Sequence, residues 1–182
     1  MIRITLLLTF TLFSGAICNA QKYYTRSGVT EFKASKETFE PIEAINKSTT
    51  AILNINTSEV VAQVFIASFE FENALMQEHF NENYMESSTY PKAVFKGKIV
   101  NFSKDALNKI SSFDLVGTLT IRGKEKVVKT KVTVKEHNKK LLITTGFVVK
   151  PEDFNIEIPS IVKEKIANTI QINIKYELVK KK

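Results

Sequence analysis

The C-terminal half of the chain alternates apolar and polar residues with a period of two. In the clearest run, every second residue from Ile170 to Leu178 is apolar, and Gln, Asn, Lys and Glu stand between them. Successive side chains of an extended strand point to opposite faces, so this run predicts a β-strand with one apolar face. The same pattern recurs at 113–121, 128–134 and 141–149, with polar turns at 122–125 and 136–140. These segments predict an antiparallel meander.

The N-terminal half predicts strands that alternate less regularly. We place them at 29–35, 50–56, 60–71 and 93–102. Residues 60–66 are apolar on both faces, so we expect part of the outer face of this strand to be covered. All runs together give about eight strands, several of them about ten residues and therefore about 33 Å long.

Three segments interrupt the alternation and predict helices at 40–47, 73–83 and 160–167. The second is the most regular, because Asn73 is a favourable N-cap residue. At helical spacing, its apolar face would be formed by Leu75, Met76, His79 and Phe80. We expect this helix to close one mouth of the fold, either as a mobile lid or as a static plug.

Many long strands with few helices favour a mainly β fold, and a closed antiparallel barrel in preference to a sandwich. An outer-membrane barrel also alternates, but it would ring its apolar outer face with aromatic residues, whereas the aromatic residues here are scattered. A barrel of eight strands is either filled by side chains or holds one slim ligand, for which a hydrocarbon chain would be suitable. The residues predicted to face inward are Phe32, Leu53, Phe65, Phe69, Phe71, Phe95, Leu119, Phe147, Ile172 and Tyr176.

The first 20 residues have the pattern of a secretory signal peptide. Arg3 supplies the positive start, an apolar run follows, and Cys18 and Ala20 are small residues suited to cleavage after Ala20. A lipid anchor on Cys18 is the alternative, and the bulky Ile17 before it disfavours that reading. We expect an exported protein, periplasmic or secreted, whose residues 21–182 form one domain. That domain contains no cysteine, so its stability has to come from burial of its core.

Positive charge is concentrated in one predicted hairpin, within a chain whose formal net charge is +7. Residues 122–140 contain only two acidic residues, Glu125 and Glu136. The eight basic residues of the hairpin are Arg122, Lys124, Lys126, Lys129, Lys131, Lys135, Lys139 and Lys140. This hairpin would either dock on an anionic membrane surface, where each nearby cation contributes about 1 kcal/mol, or form an ordinary solvated strand face. We expect no nucleic acid as a partner, because no recognition motif accompanies the charge.

Residues suited to catalysis or to metal binding are scarce. The chain has two histidines and none of the usual phosphate-binding, nucleophile-elbow or zinc-protease motifs. Glu78, His79 and Glu82 have a helical spacing that a metal could use, but a solvated acidic face explains them more simply, because metal sites need three or four converging ligands. We expect a protein without enzymatic activity or cofactor. His79 would be a hydrogen-bonded structural residue or a partner for a polar headgroup.

Residues 71–97 resemble the central signature of the YceI-like family. That signature combines a loop containing His, an aromatic-acidic step, and a Tyr-Pro pair followed by Phe. The matching residues here are His79-Phe80, Tyr84-Met85-Glu86, Tyr90-Pro91 and Phe95. The family's G-x-L-x-I-x-G hairpin is matched by Gly117, Leu119, Ile121 and Gly123, and residues 147–178 also fit.

The resemblance implies a lipocalin-like β-barrel whose hydrophobic pore holds a polyisoprenoid or another long-chain amphipathic lipid. The ligand would contact the predicted inward-facing residues together with Leu75, Met76, His79 and Phe80. Family members commonly carry an Arg-Asp pair shortly before the His, and because 72–78 lacks it, Glu72, Asn73 or Glu78 would have to substitute. The alternative is a stress-related interaction protein, with a filled barrel and a basic hairpin that contacts a membrane or partner. The oligomeric state stays open, a homodimer included.

Overall fold

The computed structural model describes residues 21–36, 40–103, 107 and 111–181. The leader predicted for residues 1–20 lies outside this part of the chain. The strands, in chain order, are β1 (Lys22–Ser35), β2 (Glu43–Asn54), β3 (Glu59–Phe65), β4 (Glu70–Phe71), β5 (Lys92–Val100), β6 (Ser111–Ile121), β7 (Lys124–His137), β8 (Lys140–Val149) and β9 (Ile166–Lys180).

The eight long strands close into an antiparallel barrel. Their order around the barrel is β1-β9-β8-β7-β6-β5-β3-β2, and the pairing of β1 with β2 closes the ring. The two-residue strand β4 pairs with β2 alone. Closure gives every long strand a paired neighbour on each side. The predicted fold, a closed and mainly β barrel, is confirmed.

The period-two alternation places apolar side chains inside the barrel. In β9, Tyr176 and Leu178 are buried, whereas Lys175 and Glu177 point to solvent. The faces predicted for β6, β7 and β8 also point inward, since their apolar members belong to the buried clusters or pack against them. An extended strand that turns one face to the core needs this alternation. For this reason the C-terminal meander was predictable from the sequence.

Three predictions for the N-terminal half are wrong. Residues 40–47 contain no helix, because β2 begins at Glu43 and pairs with β1 from the Lys33↔Glu43 register onward. The strand predicted at 60–71 ends at Phe65, where a 3-10 turn (Ile66–Ser68) leads to β4. The outer face of β3 is also not covered as expected, since Val61 and Phe65 are exposed.

The helical segments between β3 and β5 and between β8 and β9 lie at one end of the barrel, which we call the cap end. The cap segment, residues 72–86, contains helix α1 (Ala74–His79) and a π-helical turn (Phe80–Tyr84). Asn73 caps α1, because its side-chain oxygen accepts hydrogen bonds from the N–H groups of Leu75 at 2.9 Å and Met76 at 3.3 Å. The predicted helix at 73–83 is therefore present.

The connection between β8 and β9 also lies at the cap end. It contains two 3-10 turns, Pro151–Phe154 and Ser160–Val162. The helix predicted at 160–167 is reduced to the second of these turns, because β9 already begins at Ile166 and pairs there with Ser35 of β1.

The barrel wall splits in two places at the cap end. β2 pairs with β3 only as far as Thr50↔Gln63, and nearer the cap β2 pairs with β4 instead. β7 pairs with β8 only from Val132↔Thr145 toward the opposite end. The Pro151–Phe154 turn packs beside β7 there, with Phe154 buried in a cluster that includes Val128. Two inserted segments therefore widen the barrel at this end.

None of the helices in the described ranges combines the length and the apolar character that a membrane crossing requires.

Candidate functional site

A cavity of about 400 Å³ occupies the cap half of the barrel. Its wall is almost entirely apolar and comes from seven of the long strands, namely β1, β2, β3, β5, β6, β8 and β9, together with Val128 of β7. Volumes of this size are typical of pockets that bind small molecules. An apolar wall offers little to a polar solute, so the site is suited to hydrocarbon.

Two facing glycines shape one side of the wall. Gly97 of β5 and Gly117 of β6 are directly paired across the sheet. A Cβ atom built on either glycine would lie 2.5–2.6 Å from the Cζ atom of Phe95. The Phe95 ring therefore lies against the bare backbone of both glycines. Without these glycines the ring would have to move, and the space available to it is the cavity.

Four phenylalanines form the roof beneath the cap segment. Phe80 of the π-helical turn stacks on Phe32 of β1, with ring centroids 5.2 Å apart. Phe69 and Phe71 meet Phe80 at 5.7 Å and 5.1 Å, in edge-on and tilted geometries. Aromatic pairs at these distances add to the stability that buried area alone gives. The aromatic cluster anchors the cap segment to the barrel.

The two sides of the mouth are formed by different connections. The cap segment contributes Met76 and His79, and the β8–β9 connection contributes Ile158, Val162 and Lys165. His79 and Lys165 are exposed and are the residues with ionisable nitrogen atoms that border the cavity in the described chain. A chain inserted into the cavity would therefore have its polar end near these two side chains.

The closed end of the cavity carries three hydroxyl groups. Tyr176 Oη lies 2.9 Å from Thr30 Oγ1, which lies 2.9 Å from Thr49 Oγ1. Their strands β1 and β2 are bulged here, and Gly28 leaves room for the Tyr176 ring, which is 2.5 Å from the position its Cβ would take. Burial raises the pKa of Tyr176 to about 12, although the threonine hydroxyls partly offset this effect.

One arginine ties the cap segment to the rest of the barrel. The Arg122 guanidinium donates to a carboxylate oxygen of Glu86 and to the carbonyl oxygen of Asn155. It also lies over the Tyr90 ring, 5.9 Å from its centroid. Arg122, Glu86 and Asn155 all have positive φ angles, between 46° and 55°, so three loops adopt left-handed turns where they meet. We call this group the Arg122 clasp.

Eleven of the fourteen predicted ligand-binding residues border the cavity. They are Phe32, Phe69, Phe71, Met76, His79, Phe80, Phe95, Leu119, Phe147, Ile172 and Tyr176. The structure brings these side chains together around one space. Their contact with a ligand stays a prediction.

The other three predicted residues lie elsewhere. Leu53 faces inward but is fully buried in the packed half of the barrel, away from the cavity. Phe65 points outward and is 46% exposed, because Val64 takes the inward position of β3 and the side chains alternate. Leu75 is 58% exposed, since only the α1 face that carries Met76 and His79 turns toward the cavity. The inward position predicted for Phe65 is therefore wrong, and so is the predicted place of Leu75 on the helix face that closes the mouth.

Sequence reasoning missed several residues of the site. Thr30 and Thr49 gave no signal, because a threonine in an alternating strand reads as an ordinary residue. The β8–β9 connection supplies Phe154, Ile156 and Ile158, whose spacing of two could have indicated an apolar lining. Arg122 was counted with the basic hairpin, although its side chain is mostly buried in the clasp.

Four of the eight basic residues in the hairpin have acidic partners. Besides Arg122, Lys126 meets Asp153 at 2.9 Å, Lys131 meets Asp114 at 2.7 Å and Lys140 pairs with Glu177. No group of three or more His, Cys, Asp or Glu side chains in the described residues is arranged to hold a metal ion. The charged surface is therefore more neutral than the sequence count indicates.

One family model and several solved structures match the chain. The model of the YceI-like domain matches residues 22–178. A polyisoprenoid binding domain from Saccharophagus degradans superposes with a TM-score of 0.73 at 14% identity, over 89% of this chain and 99% of that one. BcnA from Burkholderia cenocepacia gives 0.69 at 19%, over 83% and 96%. The YCEI protein from Campylobacter jejuni gives 0.57 at 17%, over 100% and 99%.

No curated protein matches the chain in sequence. At these identities the solved structures show a shared fold, and the family assignment comes from the domain model. The match extends from the first residue of β1 to within two residues of the end of β9, so it includes every strand of the barrel. The chain therefore belongs to the YceI-like family.

Proposed function

We propose that this protein is an exported binding protein that holds the apolar chain of a polyisoprenoid or similar amphipathic lipid in its cavity and catalyses no reaction. The observation that carries the proposal is the cavity of about 400 Å³ with its nearly uncharged lining. Each methylene moved from water to such a site contributes about 0.8 kcal/mol. A chain of ten methylenes therefore offsets several kcal/mol of lost translational and rotational freedom.

The relatives support this choice of ligand. The Saccharophagus degradans domain is described as polyisoprenoid binding. The present chain has the same fold and an apolar cavity. The signal-like pattern of the first 20 residues supports export to the periplasm or the medium.

Lipid binding can be tested with two variants of one strand. Val64 and Val61 lie on the same strand, β3, and their side chains are on opposite faces. Val64 points into the cavity and Val61 points to solvent. Val64→Trp would fill space next to the mouth, whereas Val61→Trp adds the same side chain outside. The protein from its own host, stripped of bound lipid, would be titrated with a long-chain isoprenoid alcohol and analysed by native mass spectrometry.

We expect binding by the wild type and by Val61→Trp, and at least tenfold weaker binding by Val64→Trp. Displacing two methylenes is enough for this loss, at about 0.8 kcal/mol each. Failure of the wild type to take up any long-chain lipid, or equal affinity of the two variants, would contradict the proposal. Circular dichroism of both variants would show that each is folded.

Contact with an anionic membrane is the second candidate, and the structure gives it less support. Four of the eight hairpin cations are paired with acidic side chains. Among the four that have no ion-pair partner within the described chain are the exposed Lys129 and Lys135. Charge reversal at both lysines would abolish binding to anionic vesicles if the hairpin is the contact. Lipid loading would be unchanged, because neither lysine borders the cavity.

A further inference from the structure

The hydrogen bonds at the closed end of the cavity have a direction that the backbone imposes. The side chain of Asn46 is fully buried, and its nitrogen donates to the carbonyl oxygens of Phe65 at 3.3 Å and Ser68 at 2.9 Å. Its oxygen accepts from the N–H group of Ser48 at 2.9 Å. A carbonyl oxygen only accepts and an N–H group only donates, so the Asn46 amide has one orientation.

This orientation determines the direction of the next three hydrogen bonds. Thr49 Oγ1 lies 3.3 Å from the Asn46 amide oxygen, an acceptor, so Thr49 donates its proton there. Because a hydroxyl has one proton, Thr30 must donate in the 2.9 Å bond to Thr49. Tyr176 must then donate in its 2.9 Å bond to Thr30. All three hydroxyl protons are used within the chain of hydrogen bonds.

Among the described residues, the side chains at the closed end of the cavity consequently present an acceptor but no free donor. Thr30, Thr49 and Tyr176 all border the cavity, and the Tyr176 oxygen keeps a lone pair after donating. The high pKa of Tyr176 keeps its proton in place at neutral pH. Thr145, the remaining threonine of the lining, donates to the carbonyl oxygen of Lys131 at 2.7 Å.

We propose that the closed end of the cavity selects the buried terminus of the lipid, accepting a methyl or hydroxyl group and excluding a carbonyl group. The inference rests on the proposed function, because it requires a chain that enters with its apolar end first. A terminal hydroxyl donates to the Tyr176 oxygen. A terminal carbonyl needs a donor, finds none, and loses the hydrogen bond that it had with water.

Three matched probes test the selection. Each has the same phosphocholine headgroup, too polar to enter the cavity, and the same alkyl chain, which ends in a methyl group, a secondary alcohol or the corresponding methyl ketone. The chain length is chosen from a series of methyl-terminated probes, as the length beyond which the affinity no longer rises. We expect the alcohol to bind the wild type about tenfold more tightly than the ketone, the effect of one unsatisfied buried polar group.

Thr49→Val supplies the variant that reverses the selection. It removes the acceptor for Thr30, so Thr30 can donate to Tyr176, and the Tyr176 proton becomes free to bond a ligand. The Asn46 oxygen still accepts from Ser48. We expect the ketone to bind Thr49→Val at least as tightly as the alcohol does. The infrared carbonyl band of the bound ketone should shift to the lower frequency of a hydrogen-bonded carbonyl in this variant only.

The outcomes separate this inference from the proposed function. The selection is refuted if the methyl probe binds the wild type but the alcohol and the ketone bind it with equal affinity. In that case a donor such as the Gln63 amide, which also borders the cavity, reaches the ligand. An unchanged ketone band in Thr49→Val would also refute it. Absence of binding by all three probes to the wild type would overturn the proposed function and this inference together.

Discussion

The two halves of the barrel share the same strands but pack them differently. At the end opposite the cap, Leu53, Leu141 and Leu178 have no solvent-accessible surface and belong to one dense cluster. At the cap end, side chains of similar size, such as Leu119 and Ile172, surround the cavity. Both halves are apolar, so hydrophobicity alone does not determine whether a barrel is filled.

The difference comes from the perimeter of the wall. In the packed half, β2 pairs with β3 and β7 pairs with β8. In the cap half both pairs separate, and β4 and the Pro151–Phe154 turn are inserted beside them. A wider ring of similar side chains cannot reach its own centre, so space remains there.

The largest expected effect compares a leucine from each half. Leu53→Ala creates a new void in the packed half and should lower the free energy of unfolding by about 3–5 kcal/mol. Leu119→Ala enlarges a space that already exists, loses fewer contacts, and should cost about 2 kcal/mol. Urea denaturation of both variants measures the difference. Equal costs would mean that the cap half is packed as densely as the other.

The second prediction concerns pH at the boundary between the halves. The pKa of Tyr176 is raised by burial to about 12 in the folded protein, from about 10 when unfolded. Above pH 10 the unfolded chain loses this proton while the folded chain keeps it. This contribution to stability is therefore fully present below pH 10 and is lost as the pH rises to 12, by roughly 2–3 kcal/mol.

The control for this effect is Tyr176→Phe, which lacks the titrating group. Urea unfolding of both proteins between pH 9 and pH 12 should show the wild type losing stability relative to the variant. Other tyrosines and the lysines titrate in both proteins and cancel in the difference. A constant difference across this range would contradict the burial of Tyr176.

A third, smaller effect concerns the glycine pair of the cavity wall. Gly117→Ala places a Cβ atom 2.5 Å from the Phe95 ring and from the Lys96 carbonyl oxygen, and should cost about 1–3 kcal/mol. Gly146→Ala is the control, because its Cβ atom meets only side-chain ends of Gln171 and Asn173, at 3.1 Å and 3.2 Å, and a backbone oxygen at 3.5 Å. Thermal unfolding should separate the two, and equal melting temperatures would mean that Phe95 does not depend on the bare glycine backbone.

The sequence predicts the strands and the inward faces of the meander well, because a two-residue period fixes which side each residue takes. It predicts poorly where a strand leaves the sheet. Phe65 follows a run that is apolar on both faces, so its side could not be chosen from the pattern. In residues 40–47 tertiary contacts outweigh the local pattern, since pairing with β1 and β4 makes the part from Glu43 onward a strand.

The period of the sequence does not predict the polar contacts of the site. The Thr30–Thr49–Tyr176 chain joins residues up to 146 positions apart, which only the closure of the barrel brings together. The Arg122 clasp joins Glu86 and Asn155 through left-handed turns that are not formed by glycine. No local pattern records such long-range meetings, so a resemblance or a structure is needed to find them.

The smallest expected effect concerns the clasp that holds the cap segment over the cavity. Arg122→Met removes the bonds to Glu86 and Asn155 and should lower the free energy of unfolding by about 1–2 kcal/mol, because the arginine is mostly buried but Glu86 is partly exposed. Lys131→Met breaks the exposed pair with Asp114 and should cost less than about 0.5 kcal/mol. In Arg122→Met, amide hydrogen exchange should become faster in residues 72–86. In the packed half, around Leu141, exchange should rise only as much as the loss of global stability requires. If exchange rose equally in both halves, the clasp would stabilise the whole barrel and not the cap end in particular, and the contrast between a rigid packed half and a separately held cap would be wrong.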